Sequence, residues 1–244
     1  MTAHLMMITY NRLELTKQTI ESLYNNKNNT EFKLSIVDNF SSDQTQDYLL
    51  ELKNKYDINL IFNSENKGIA RGRNQNLKYC TDQPGDWFAT LDNDVLLSDN
   101  WLDECIDILS KNKDYAMIGV NFEDTNYPLI TKNEVTFQNK PKGNLGTACM
   151  VFNRNLFNMI GYFCEEYSNF YGCEDSNYGM RTRVLGFKLG YLKQNGTHLG
   201  VGEHDKGAYR EFKTKEHDQY VPLFNQHCRE YYQRTKPIYI PFKE

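Results

Sequence analysis

The N-terminal part of the chain alternates short apolar runs with segments of helical period, and this alternation restricts the fold more than any other feature. Leu5-Met6-Met7-Ile8 reads as a strand, and Leu13, Ile20 and Leu23 then recur at helical spacing until the polar turn Asn25-Asn26-Lys27-Asn28-Asn29. Lys33 to Val37 is a second strand followed by a helix marked by Tyr48, Leu49 and Leu52. Asn59 to Phe62 is a third, followed by a helix bearing Ile69, Leu77 and Cys80, and Phe88 to Leu91 is a fourth. Strands that alternate with helices predict an α/β fold with a doubly wound, mostly parallel, Rossmann-like sheet. Such sheets bind ligands beyond the carboxyl ends of their strands.

A chain of 244 residues suits one large domain whose halves share a core. Its 17 Tyr and 14 Phe are enough to build that core and to line a cleft with rings, which excludes a disordered chain. The formal net charge of −4 gives no global basic field for nucleic acid or anionic lipid, although a local basic patch stays open. Cys80, Cys105, Cys149, Cys164, Cys173 and Cys228 form no C-x-x-C pair and no zinc spacing, so reduced thiols are expected. No run approaches the ~20 apolar residues of a membrane span, and Leu5 to Ile8 is too short for a signal-peptide core. A cytoplasmic protein without an integral membrane segment is the expectation.

The fourth strand ends abruptly on carboxylates, in Phe88-Ala89-Thr90-Leu91-Asp92-Asn93-Asp94-Val95. Asp92 and Asp94 point the same way while the backbone is extended, and a turn can converge them on one ion. Oxygen ligands suit Mg²⁺ or Mn²⁺, which bind through one or two carboxylates while substrate phosphates and water fill the other positions. The bland alternative is an Asp/Asn turn with a helix cap.

The other post-strand loops are also polar: Thr9-Tyr10-Asn11-Arg12, then Asp38-Asn39-Phe40-Ser41-Ser42-Asp43, then Asn66-Lys67-Gly68 with Arg73-Asn74 a turn later. Asp38 can accept a hydrogen bond from a base N–H, and Thr9, Arg12 and Arg73 offer donors for base and phosphate, a set that fits uridine. Arg71 and Arg73 read equally as a solvated helix face. Further on come Gly146 to Arg154, the turn Ile160-Gly161-Tyr162-Phe163, the run Tyr171-Gly172-Cys173-Glu174-Asp175 to Arg181, the stretch Gly186 to Tyr191, and His198. In this order, over roughly residues 5 to 205, the motifs resemble those of GT-A fold nucleotide-sugar glycosyltransferases, specifically the inverting family 2 and its relatives.

The resemblance implies a nucleotide-sugar-binding half over residues 1–120 and an acceptor-side half over 121–205. It places Thr9, Asn11, Arg12, Asp38, Asn66, Gly68, Arg73, Asn74, Asp92 and Asn93 at the nucleotide-sugar. Asp94 is the first choice for direct metal ligation, and Asp92 either ligates or holds the ribose or a metal-bound water. His198 or His204 is the implied third ligand. Glu174 and Asp175 open a helix, where first-turn acids also complement the helix dipole. In an inverting enzyme one carboxylate takes the proton of the attacking hydroxyl, and Asp175 is the candidate base with Glu174 orienting the acceptor or binding sugar.

Residues 206–244 read as a polar helix from about Lys215 to Arg234 with a Pro-marked tail, and 121–145 as an acceptor-side loop. The expected activity is a metal-dependent, inverting transfer of a hexose from a UDP-sugar to a hydroxyl, on a saccharide or lipid-linked glycan. A nucleotidyltransferase would carry a Gly-rich triphosphate loop near Thr9, which is absent here. A non-catalytic sugar-nucleotide-binding module would lose the metal acids or the Glu-Asp pair, and both are present. A retaining relative stays open. A nucleic-acid acceptor, such as a hydroxylated DNA base, also stays open, although it calls for a basic surface.

Overall fold

The computed structural model describes residues 2–122, 127–146, 148–167, 172–200 and 207–243. Strands and helices alternate from the N-terminus: β1 (Thr2–Thr9), α1 (Leu13–Asn25), β2 (Glu31–Asp38), α2 (Thr45–Lys53), β3 (Ile58–Phe62), α3 (Ile69–Thr81) and β4 (Trp87–Asp92). The four strands are parallel, in the order β3-β2-β1-β4. The chain then forms β5 (Val95–Leu96), α4 (Trp101–Lys111), β6 (Tyr115–Asn121), β7 (Leu129–Lys132), β8 (Val135–Lys140), β9 (Cys149–Asn153), α5 (Arg154–Ile160), α6 (Glu174–Val184), β10 (Lys188–Asn195), β11 (Thr197–His198) and α7 (Ala208–Tyr232). β9 lies antiparallel between β4 and β6, and β10, β8 and β7 extend the same sheet to nine strands. One sheet therefore runs through both segments, 1–120 and 121–205, that the sequence reading set apart.

Side chains alternate along each strand, so the sheet divides the core in two. Leu5 and Met7 of β1, with Leu34, Ile36, Ala89 and Leu91, pack against Ile20, Leu23, Leu49 and Trp101 of α1, α2 and α4. Met6, Phe88, Met117, Met150 and Phe152 face the other way, against Leu77 of α3, Leu156 of α5 and Tyr178 of α6. All six cysteines are free. Among the described residues no helix is long and apolar enough to cross a membrane.

Two segments depart from the periodicity. The expected loop over 121–145 contains the β7–β8 hairpin, turned by Asn133 and Glu134 with φ of 48° and 67°. Two consecutive left-handed residues are what a tight two-residue hairpin turn needs, and Asn is one of the few residues that favours that geometry. The C-terminal helix begins at Ala208, directly after Gly207, and not near Lys215. Arg210, Glu211 and Phe212 near its start are exposed, so no buried apolar period marks where it begins.

The tail returns to the body through Arg181 of α6. This fully buried guanidinium donates to the carbonyls of Ile160, Tyr162 (2.7 Å) and Ile238 (3.1 Å), and its Nε donates to Asn177 Oδ1 (2.8 Å). Beside it, Ile240 N–H donates to Ile160 O and Tyr162 N–H to Ile240 O. Removing the guanidinium strands several buried carbonyls. Arg181→Leu is expected to lower the unfolding free energy by about 3 kcal/mol or more. Urea denaturation measures it, and a loss below about 1 kcal/mol would show that the clamp contributes no more than an ordinary hydrogen bond.

Candidate active site

The strand order reverses between β1 and β4, and in open α/β sheets the crevice beyond such a point is where ligands bind. β1 leads into Tyr10, Asn11 and Arg12 there, and β4 leads into Asn93 and Asp94. Asn11 and Arg12 both adopt left-handed φ, 57° and 64°, a geometry that side-chain-bearing residues avoid unless their surroundings impose it. The loop after β2 imposes it. Asn11 N–H donates to Ser41 Oγ (2.7 Å), Ser42 N–H donates to Asn11 Oδ1 (2.8 Å), and Leu13 N–H donates to Asp43 (3.3 Å). The turn aims Arg12 across the crevice, where its Nη1 lies 2.7 Å from Asp94 Oδ2.

Asp94 sits between β4 and β5, and the short β5–β11 ribbon sets its surroundings. His198 pairs opposite Val95, and Leu199 N–H donates to the Asp94 carbonyl at 2.7 Å. His198 Nε2 then lies 3.7 Å from Asp94 Oδ1, and its buried Nδ1 has no hydrogen-bond partner among the described residues. Asp92, Asp94 and His198 each present a ligand atom within 4.8 Å of the others. Gly200 closes over them: a Cβ there would stand 2.5 Å from Asp94 Oδ2 and 3.4 Å from Arg12 Nη1, so no larger residue fits without displacement. Burial and the neighbouring Asp92 carboxylate push the Asp94 carboxyl upward, and His198 and Arg12 pull it back.

Arg73 joins this cluster to the start of α6. Its Nη2 lies 2.9 Å from Asp92 Oδ1, and its charge also acts on Glu174 and Asp175, the first residues of α6. Glu174 is buried and its Oε2 has no hydrogen-bond partner among the described residues; burial, followed by the charge of Asp175, pushes its carboxyl up to about 8. Asp175 is half-buried, and its Oδ1 accepts from Ser176 N–H at 2.5 Å. Burial raises it as well, with that N–H and Arg73 acting in opposition.

The remaining sequence-derived candidates divide. Asp38 is fully buried, and its carboxylate accepts from Thr9 Oγ1 (2.9 Å), Ser41 N–H (3.0 Å), Ser41 Oγ (2.5 Å) and Gln46 Nε2 (2.6 Å). It thus anchors the first two loops to each other. Asn66 accepts from the Asn39 amide (2.8 Å) and from Gly68 N–H (2.9 Å), while Asn39 also binds Asn63 and Lys67 N–H. Gly68 starts α3 with φ of 78°. Asn93 donates to Thr16 Oγ1 (2.8 Å), which ties the carboxylate turn to α1. Asn74 points elsewhere: its amide binds the backbone of Phe163 on both sides (2.8 and 3.0 Å) and Glu165 (2.8 Å). Asn74 thereby joins α3 to the 163–165 segment. His204 lies outside the described residues. Sequence reasoning missed Gln46, the Arg12–Asp94 pairing and Gly200. Only the Asn-Arg after β1 and the glycine two residues past His198 hinted at the last two.

A family profile described as glycosyl transferase family 2 matches residues 5–185. An uncharacterized glycosyltransferase of Acanthamoeba polyphaga mimivirus is 26% identical over 176 residues, covering 70% of this chain and 66% of the viral protein. Among solved structures, the mannosyltransferase PcManGT from Pyrobaculum calidifontis, in complex with GDP-Man and Mn²⁺, aligns with a TM-score of 0.70 at 15% identity over 93% of this chain and 64% of that one. S. aureus TarS 1–349 in complex with UDP-GlcNAc aligns with a TM-score of 0.64 at 20% identity over 96% of this chain and 71% of that one. The chain spans about two thirds of the length of these relatives. The solved structures share its fold, and the sequence match runs from the first strand through the helix that carries Glu174 and Asp175: the chain belongs to glycosyl transferase family 2 and has the GT-A fold.

Proposed function

We propose that this glycosyltransferase moves a hexose from a UDP-sugar to a hydroxyl of a saccharide or lipid-linked glycan, in a metal-dependent single displacement that inverts the anomeric carbon. One juxtaposition carries the reading. Asp92, Asp94 and His198 gather beyond β4, and Arg73 links Asp92 to the helix start that bears Glu174 and Asp175.

The donor set fits Mn²⁺ or Mg²⁺: two carboxylates and an imidazole gathered in one crevice. Such an ion, bound by Asp94, His198 and Asp92, supplies Lewis-acid stabilisation of the charge that develops on the departing diphosphate. Arg12 adds charge-assisted donors at the same edge of the sheet. On the other side, Asp175 takes the proton of the acceptor hydroxyl as its oxygen attacks opposite the leaving group. Glu174, held largely protonated by burial, orients the acceptor.

Asp94→Ala is expected to cut nucleotide-sugar turnover at least ~100-fold, as befits loss of a group that stabilises transition-state charge. Chelation should abolish activity and added Mn²⁺ should restore it; full turnover in chelator would end the metal assignment.

Uridine is supported by the fold shared with S. aureus TarS 1–349 in complex with UDP-GlcNAc and by Thr9 and Asp38 at the root of the post-β2 loop. A base that reaches Asp38 exchanges with the half-buried Gln46 amide. Calorimetry in the presence of Mn²⁺ is expected to give UDP an advantage over GDP of more than ~1.4 kcal/mol, a factor of ten in dissociation constant. Equal affinities would refute uridine and leave the fold untouched.

For the base, Asp175→Asn is expected to lower turnover by ~10²–10⁴ with the UDP-sugar dissociation constant nearly unchanged. Glu174→Gln should be milder and act mainly on the acceptor's KM. A reversed order under saturating donor would exchange their roles, and a retained anomer in the product would overturn single displacement.

A further inference from the structure

Away from the crevice, one buried titratable group has no part in the chemistry proposed above. His227 of α7 is 3% exposed and packs against the rings of Tyr167 and Tyr231, both fully buried. Its Nδ1 meets the Tyr167 hydroxyl, and its Nε2 lies 3.6 Å from Glu166 Oε2. Glu166 and Tyr167 share the short turn Glu165–Tyr167, and Lys236 of the tail reaches the other Glu166 oxygen at 3.6 Å.

The direction of each hydrogen bond in this chain is dictated from its far end. Arg181 Nε can only donate, so the Asn177 atom that faces it at 2.8 Å is the amide oxygen. The Asn177 nitrogen, itself only a donor, then lies 2.9 Å from the Tyr167 hydroxyl, which must accept. The hydroxyl proton is left for His227 Nδ1. That nitrogen is therefore bare, and the neutral ring carries its proton on Nε2, towards Glu166. A second proton, on Nδ1, would set two donors against each other and strand the Tyr167 hydroxyl proton in the interior. The surrounding charges divide: burial, the largest influence, and the Lys236 ammonium hold the imidazole below its ordinary value of 6.5, against the pull of Glu166 and Glu230. Burial keeps the neighbouring Tyr167, Tyr231, Cys164 and Cys228 protonated.

We infer that His227 is a positioning residue for α6: when neutral it terminates a one-way chain of hydrogen bonds from Arg181 through Asn177 and Tyr167, and its protonation breaks that chain and loosens α7 from the helix that carries Glu174 and Asp175. A histidine released from this setting takes up a proton near pH ~6.5, whereas within the chain it resists one. Docking of α7 is accordingly at full strength above pH ~6.5 and weakens as the pH falls below it. The inference is independent of the metal and donor readings above.

The test is amide hydrogen exchange of the full chain at pH 7.5 and 5.5, corrected for the intrinsic pH dependence of exchange, together with nitrogen-15 NMR of the His227 ring. Wild type should lose protection in α7 and in the first turns of α6 on acidification. His227→Asn places an amide oxygen near the Nδ1 position, keeps an acceptor for Tyr167 and does not titrate. The acid-induced loss in wild type should exceed that in His227→Asn by about 5-fold or more, approaching the tenfold that one bound proton gives per pH unit. Acids common to both chains contribute equally and drop out of the comparison. The wild-type ring should be neutral at pH 7 with its proton on Nε2. An equal acid response in the two chains would overturn the inference. So would a charged ring, or a proton on Nδ1, at pH 7, and that reading needs wild type alone, even if His227→Asn failed to fold.

Discussion

The Arg12–Asp94 ion pair spans the reversal of strand order between β1 and β4, and much of the site's local architecture serves to hold its two ends. A carboxylate as deeply placed as Asp94 is tolerated only with a partner, because desolvating an unpaired charge is expensive. The partner comes from a turn with two consecutive left-handed residues, which is itself unfavourable and persists because the neighbouring loop fixes it. That loop is fixed in turn by Asp38, whose buried carboxylate collects four protein donors. A chain of dependence therefore runs from Asp38 through Ser41 and Asn11 to Arg12 and ends on the candidate metal ligand. A substitution at Asp38 would loosen Asp94's surroundings without touching it.

A second line of dependence reaches the acid pair from the C-terminus. Asn177, one turn into α6, donates to the Tyr167 hydroxyl (2.9 Å) and accepts from Arg181, which holds the carbonyls of Ile160, Tyr162 and Ile238. Tyr167 also contacts His227 of α7. The helix that bears Glu174 and Asp175 is thus anchored along its length by the returning tail. Glu174 can stay buried because the surrounding packing holds the helix start in place.

Much of this was legible in the sequence where periodicity and punctuation coincide. The β1 to β4 alternation is written in apolar spacing, the Asp92–Asp94 turn in an apolar run cut short by acids, and the start of α6 in its Glu-Asp pair. The β7–β8 hairpin was not legible, because its strands are short and half-exposed and their turn depends on Glu134 in a conformation that glutamate rarely adopts. The start of α7 was hidden for the opposite reason: a polar, exposed helix has no apolar stripe to count. Asn66 and Asn74 resemble ligand-binding amides in sequence, and the fold gives them partners the sequence did not announce, the Asn39–Asn63 network for Asn66 and the Phe163 backbone for Asn74. An amide's composition is the same whether it will bind a ligand or a neighbouring carbonyl, and only the third dimension separates the two.

The pairing of charges also bears on how such a crevice can be selective. Because arginines already meet both carboxylates, an ion entering alone must work against Arg12 and Arg73. That opposition is uneven, because Arg73 is almost wholly buried against Asp92 whereas part of the Arg12 side chain reaches solvent. The space above the Arg12–Asp94 pair is narrow as well, since a Cβ at position 200 would stand 2.5 Å from Asp94 Oδ2, so charge and steric room together limit what the crevice admits.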